Sequence, residues 1–180
     1  MTAPRLVILD LDGTLVVPSS GATFRKTADD SMWMPRRVDM LRDLIAAGVH
    51  IAIATNQGGV GFGIISEDAI TAEIRGRIAE LGLDPATVYI GIACEHPRAK
   101  LARYLPQPGS DMRKPGGGML RAAMAFNNCT PEQTIMVGDM DADSGAAAAA
   151  GVRFVHAETF FAAVQRPGVA GPQRPTGEVS

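Results

Sequence analysis

The chain has 180 residues, 17 Lys and Arg against 19 Asp and Glu, 46% hydrophobic residues and only two cysteines, Cys94 and Cys129. This composition excludes general disorder and a disulfide framework, and no apolar run nears the roughly 20 residues that a membrane span needs. The balanced charge excludes a tail-driven nucleic-acid binder, and the pattern after Met1 is not that of a signal peptide, so one soluble domain in a reducing, cytoplasmic setting is expected.

In chain order, Leu6–Asp10 reads as a short buried strand that delivers Asp10-Leu11-Asp12-Gly13-Thr14 where strand becomes turn. Two carboxylates so close repel, and a hard cation such as Mg2+ would relieve that repulsion. Val38–Ala47 has helical spacing and is closed by Gly48. The second strand, Val49–Thr55, ends in Thr55-Asn56-Gln57-Gly58, a hydroxyl, two amides and exposed backbone N–H groups suited to an anion. A helix over Glu67–Leu81 and a third strand over Val88–Ile92 follow. Glu95–Lys114, with Pro97, Pro106 and Pro108, reads as a long loop that ends on Arg113 and Lys114, a guanidinium and an ammonium suited to gripping phosphate. Next come a helix over Gly118–Phe126, a strand over Ile135–Asp139 and a helix over Ala142–Ala150. The last strand runs into a second acidic cluster, Asp139, Asp141 and Asp143.

The alternation predicts an α/β domain over residues 1–165, a parallel sheet with helices on both faces and a site at the carboxyl ends of its strands. Residues 166–180, rich in Pro and Gly, read as a disordered tail. Met32, Trp33 and Met34 read as core, and Cys129 as a core thiol. Arg36, Arg37, Arg98, Lys100 and Arg103 read as solvated surface or a basic rim, and Gly58–Gly63 lacks the phasing of a dinucleotide fingerprint.

The ordered set Asp10-x-Asp12-Gly13-Thr14, Thr55, Lys114 and Gly138-Asp139-x-x-x-Asp143 resembles the haloacid dehalogenase (HAD) superfamily of aspartate-nucleophile phosphatases. The resemblance implies a Rossmann-like HAD fold. It also implies that Asp10 attacks phosphorus and that Asp12 is general acid and then base. Thr55 and Lys114 would hold the phosphoryl oxygens, joined by Asn56, Gln57, Gly58 and Arg113. Asp10, Asp139 and the main-chain carbonyl of Asp12 would ligate Mg2+, with Thr14 in support, and Asp143 would orient Lys114 or a metal-bound water. Thr55-Asn56-Gln57-Gly58, Arg113-Lys114-Pro115-x-x-Gly118-Met119 and the short spacing from Leu15 to Thr55 resemble the small capless group, IIIA, of histidinol phosphatases, heptose bisphosphatases and polynucleotide 3′-phosphatases. No large cap domain is therefore expected.

Two features of that group diverge in this chain. Leu11, where the sugar and histidinol enzymes usually carry Arg, and Ser20-Gly21-x-x-Phe24 resemble the polynucleotide 3′-phosphatases. The 95–114 loop resembles the heptose bisphosphatases, whose zinc site pairs Cys-x-His with a later Cys-x-Cys. Here Cys94 and His96 match the first half, but Ser110-Asp111-Met112 replaces the second, so a structural zinc is not expected. An improvised set of Cys94, His96 and Asp111 is the alternative. The preferred substrate on this reading is a nucleic-acid 3′-phosphate end, with a sugar bisphosphate or other small phosphorylated metabolite as the alternative, no membrane partner, and a catalytically idle binding module as the remote third.

Overall fold

Strand and helix periodicities resolve, in the computed structural model of residues 3–163, into seven strands and six helices. They are β1 (Leu6–Leu9), β2 (Val16–Val17), β3 (Met32–Trp33), α1 (Arg37–Ala46), β4 (His50–Asn56), α2 (Gly58–Gly61), α3 (Glu67–Glu80), β5 (Ile90–Ala93), α4 (Gly118–Phe126), β6 (Thr134–Gly138), α5 (Asp141–Ala150), β7 (Arg153–His156) and α6 (Ala157–Ala163). The expected tail lies outside the described residues.

β1, β4, β5, β6 and β7 form one sheet in the order β5-β4-β1-β6-β7, with every pairing parallel. Period-two alternation divides its side chains between two cores. Val7, Leu9, Ile51, Ile53, Ile135 and Val137 face Met40 and Leu41 of α1, Phe161 of α6 and the Ile70, Ile74, Ile78 stripe of α3. Leu6, Ile8, Ala52, Ala54 and Met136 face Met119, Leu120 and Ala123 of α4 and Ala146 and Ala147 of α5. Each fully buried isoleucine of the α3 stripe contributes about 1.5–3 kcal/mol of transfer free energy. The second core mixes large side chains with glycines and alanines where α4 and α5 press close. A methyl at Gly145 would lie 2.7 Å from the Pro115 ring, and one at Gly117 would lie 3.0 Å from the Ala149 carbonyl carbon. The alanine run is thus a packing device.

From β1 the chain moves outward to β4 and β5, then crosses to β6 and β7 on the other side. This places the crevice at the carboxyl ends of β1, β4 and β6. Between β1 and α1 there is only the antiparallel β2–β3 pair, so the crevice has no cap domain over it. β2, β3, β7 and α6 were not anticipated. β2 and β3 are two residues each, too short to show a period, and β7 is a four-residue edge strand with Arg153 and His156 exposed at its ends. Among the described residues no helix is long and apolar enough to cross a membrane.

Candidate active site

Asp10 follows β1 directly and hydrogen-bonds through its backbone N–H to the Val137 carbonyl of β6. Lys114 reaches the same point from the far end of the long loop. Its ammonium donates to Asp10 Oδ1 at 2.6 Å, Asp143 Oδ1 at 2.6 Å and the Ala54 carbonyl of β4 at 2.7 Å, which uses all three of its N–H groups. Asp10, Lys114 and Asp143 are all buried. Burial raises the Asp10 carboxyl to about 7; Lys114 opposes this and Asp143 adds to it. Burial alone would lower the Lys114 ammonium, but Asp10 and Asp143 more than offset it and hold it above its ordinary value. Both shifts favour the protonated form. The lysine's three short bonds decide for a charged ammonium between two carboxylates. Asp143 also accepts from the backbone N–H groups of Asp139 (3.2 Å) and Met140 (3.0 Å), so it fixes both the lysine and the turn into α5. Its bond to Lys114 is the geometry that orienting this lysine would need. Gly138 is required here by close approach, since a methyl would fall 2.3 Å from Asp143 Oδ2.

Asp139 completes the acidic set. Its Oδ1 accepts from the Thr14 hydroxyl at 3.2 Å, and burial, with Asp143, raises its carboxyl against the Thr14 bond. The turn that brings Thr14 there depends on Gly13, whose φ of +82° is one that L side chains rarely adopt, and whose Cβ would stand 2.3 Å from Asp139 Oδ2. One carboxylate oxygen each of Asp10, Asp139 and Asp143 lies within 4.8 Å of the others, a set of hard oxygen donors. Asp143 is already taken by Lys114 and two N–H groups. Asp10 and Asp139 are therefore the carboxylates that fit a divalent cation, and hard donors of this kind suit Mg2+. The Asp12 side chain points elsewhere.

Asp12 is held from two sides. Gln57 Nε2 donates to its Oδ2 at 2.7 Å and to Thr55 Oγ1 at 2.9 Å, and Arg25 Nη2 contacts its Oδ1 at 2.8 Å and Oδ2 at 3.0 Å. The Arg25 side chain is only 4% exposed, and its Nη1 pairs with Glu73 Oε2 of α3 at 3.5 Å. Glu73 Oε1 accepts from Arg77 Nε at 2.9 Å, and Arg77 Nη2 bonds the Ser31 carbonyl at 2.6 Å. The 18–31 loop is in this way tied to α3. Sequence reasoning passed over Arg25: its partners lie 13 and 48 positions away, and no local pattern marks it. The quoted neighbours behave otherwise. Ser20 bonds Asp30 in a surface loop and Phe24 is 80% exposed, while the residue directly after Phe24 enters the site.

Other expected residues take different tasks from those foreseen. Asn56 bonds the Lys114 main chain through both amide atoms, at 2.9 and 3.0 Å, so it clamps the lysine and does not face an anion. Gln57 is buried and serves Asp12 and Thr55. Arg113 does come to the crevice: its guanidinium nitrogens lie 3.9–4.0 Å, and the His96 ring 3.4 Å, from where a Gly58 side chain would start. Burial lowers the Arg113 guanidinium, with Glu95 opposing, and burial followed by Arg113 and Arg98 lowers the His96 imidazole. The alternative set of Cys94, His96 and Asp111 is dispersed: Asp111 pairs with Arg121, His96 Nδ1 accepts from the Arg98 N–H, and burial pushes the Cys94 thiol up to about 11. Met32 is exposed, contrary to its reading as core, whereas Trp33 packs on the core beneath Arg77. Arg37 bonds the Thr14 carbonyl and covers the Phe161 ring, so it is not a free rim cation, while Arg103 lies over the Tyr104 ring and stays exposed.

A strand-end aspartate on a buried lysine, a second aspartate held two residues on, and a third acidic turn across the sheet define a phosphatase of the HAD superfamily. The chain belongs to the polynucleotide kinase 3 phosphatase family, whose model matches residues 5–164. Among curated relatives it is similar to the D-glycero-beta-D-manno-heptose-1,7-bisphosphate 7-phosphatases of Pseudomonas putida, at 33% identity over 86% of this chain and 83% of the relative, and of Haemophilus influenzae, at 31% over 83% and 78%. Among solved structures it is similar to the D,D-heptose 1,7-bisphosphate phosphatase of B. bronchiseptica complexed with magnesium and phosphate. The TM-score is 0.66 and the identity 25%, over 83% of this chain and 78% of that one.

Proposed function

We propose that this phosphatase hydrolyses a phosphomonoester of a small sugar bisphosphate, of the heptose 1,7-bisphosphate kind, through an aspartyl-phosphate on Asp10. The observation that carries the chemistry is the buried Asp10–Lys114–Asp143 line with Asp12 held beside it. An ionised Asp10 attacks phosphorus as the bond to the leaving oxygen breaks, and Asp12 delivers the proton that the leaving oxygen takes. Asp12 then removes a proton from water as its oxygen attacks phosphorus, which frees Asp10 and inorganic phosphate. Lys114 exchanges its bond to Asp10 for a phosphoryl oxygen and keeps Asp143 and Ala54 as its supports. Thr55 and Arg113 hold the remaining phosphoryl oxygens. A Mg2+ on Asp10, Asp139 and the Asp12 carbonyl would neutralise charge on the phosphoryl group.

The substrate reading departs from the nucleic-acid preference of the sequence analysis. Curated relatives that match over most of both chains are heptose bisphosphatases. The motif that argued for polynucleotides sits in an exposed loop, and Arg37 of the supposed basic rim is engaged. The family's name keeps the polynucleotide end as the competing reading. Measuring kcat/KM for heptose 1,7-bisphosphate and a 3′-phosphorylated oligonucleotide at two salt concentrations separates them. We expect the metabolite to win by about a hundredfold or more with a shallow salt dependence. A preferred oligonucleotide, with a log–log slope near −0.7 per phosphate contact, would overturn the sugar reading and leave the phosphatase intact.

A further inference from the structure

Glu95 lies at the base of the 95–113 loop and is used by neither the nucleophile nor the acid. Its Oε1 accepts from the Ser110 hydroxyl at 2.9 Å and from the Arg113 N–H at 3.2 Å, while its main-chain carbonyl accepts from Arg113 Nη1 at 2.9 Å. One residue therefore grips both the backbone and the guanidinium of Arg113. The far side of the loop is tied separately, by the Lys100 N–H on the Gly61 carbonyl and by Asp111 on Arg121 and on the Gly118 N–H. Without the Glu95 carboxylate the Ser110 and Arg113 N–H ties are lost together, and the bond from the Arg113 guanidinium to the Glu95 main-chain carbonyl is left without a braced loop base to hold it in place.

We propose that Glu95 is a positioning residue that closes this loop at its base and holds the Arg113 guanidinium beside Gly58, where it meets the anionic group of the substrate. The inference rests on the reading above only in giving Arg113 a substrate contact. The test uses Glu95→Ala, Glu95→Gln, Ser110→Ala, Arg113→Ala and the Glu95→Ala/Arg113→Ala double variant, each assayed with p-nitrophenyl phosphate and heptose 1,7-bisphosphate. Glu95→Ala should raise KM about tenfold, the size of one charge-assisted hydrogen bond, with kcat hardly changed. The double variant should be no worse than Arg113→Ala alone. Glu95→Gln, whose amide oxygen can still accept from Ser110 and Arg113, should recover most of the loss, and Ser110→Ala should show a smaller loss of the same kind.

Hydrogen exchange gives a readout that needs no turnover: the Arg113 amide should exchange faster in Glu95→Ala than in wild type. Additive losses in the double variant, an unchanged KM, a fall in kcat alone or unchanged Arg113 exchange would each overturn the proposal. If Glu95→Ala fails to fold, the Gln and Ser110 variants decide. A wild type inactive on both esters would sink the phosphatase reading, while Arg113 exchange would still decide whether Glu95 is the clamp.

Discussion

Lys114 spends its three N–H groups on Asp10, Asp143 and a carbonyl, and Asp12 receives one amide and one guanidinium, so the two aspartates that follow β1 have distinct surroundings. Replacement of each should differ in kind. Asp10→Asn should abolish turnover while circular dichroism and the melting transition stay cooperative, because an amide in place of the proposed nucleophilic carboxylate cannot attack phosphorus. Asp12→Asn should lower kcat by about 10²–10⁴, as for loss of a general acid. Near-normal kcat in purified Asp10→Asn with Mg2+ present would contradict the assignment. Gly13→Ala acts through geometry: its methyl would meet the Asp139 carboxylate at 2.3 Å, on a backbone with φ +82°. We expect a stability loss of about 1–3 kcal/mol and a weaker Mg2+-induced rise in Tm, both read from thermal melts with and without the ion.

Elements were legible wherever length gave periodicity room. The Gly118–Phe126 helix matches the sequence reading residue for residue, and four sheet strands fall within two residues of their expected bounds. Asp10, Asp139 and Asp143 were legible as candidates because each lies at a strand end or helix start, and Lys114 because it closes the proline-bearing loop within a recognisable pattern. Arg25 and Glu73 were not, nor was the task of Asn56, which was expected to face the phosphate. Their roles arise from contacts between segments far apart in the chain, which no local spacing encodes. The link between α3 and the 18–31 loop is the clearest case. Glu73 is nine-tenths buried and faces Arg25 and Arg77, so Glu73→Ala leaves buried cations with fewer partners. We expect it to lower stability by about 1–3 kcal/mol in urea titrations, and to lower kcat more than it raises KM because Asp12 loses the support behind Arg25. Unchanged kcat in a stably folded Glu73→Ala protein would show that Arg25 and Gln57 position Asp12 without help from Glu73.

At the scale of the whole molecule, burial at the carboxyl edge of the sheet disfavours the ionised forms of Asp10 and Asp139. Asp10 is raised to about 7 and Asp139 lies above its ordinary value, chiefly through burial. A carboxyl whose folded pKa exceeds its unfolded one stabilises the fold at low pH, and that contribution is lost as pH rises through the folded value. Without divalent metal, the Asp10 contribution should therefore fade from about pH 4 to about pH 7, and Asp10→Asn should flatten that trend. Bound Mg2+ requires both carboxylates ionised, so the gain in Tm on adding it should be larger at pH 8 than at pH 5.5. Equal gains at the two pH values would argue against Asp10 and Asp139 as ligands. The central place of β1 has a further consequence for biosynthesis. Leu6 pairs with His50 on one side and Thr134 on the other, so during translation β1 emerges long before the strand that completes its second edge. Until then, four fully buried residues, Leu6 to Leu9, present an unpaired apolar edge, a hazard for aggregation in any nascent or truncated chain. Lys114, Asp139 and Asp143 arrive late as well. The growing polypeptide thus carries Asp10, the proposed nucleophile, early but without the lysine and carboxylates that surround it in the fold, and these meet only when the sheet closes around it.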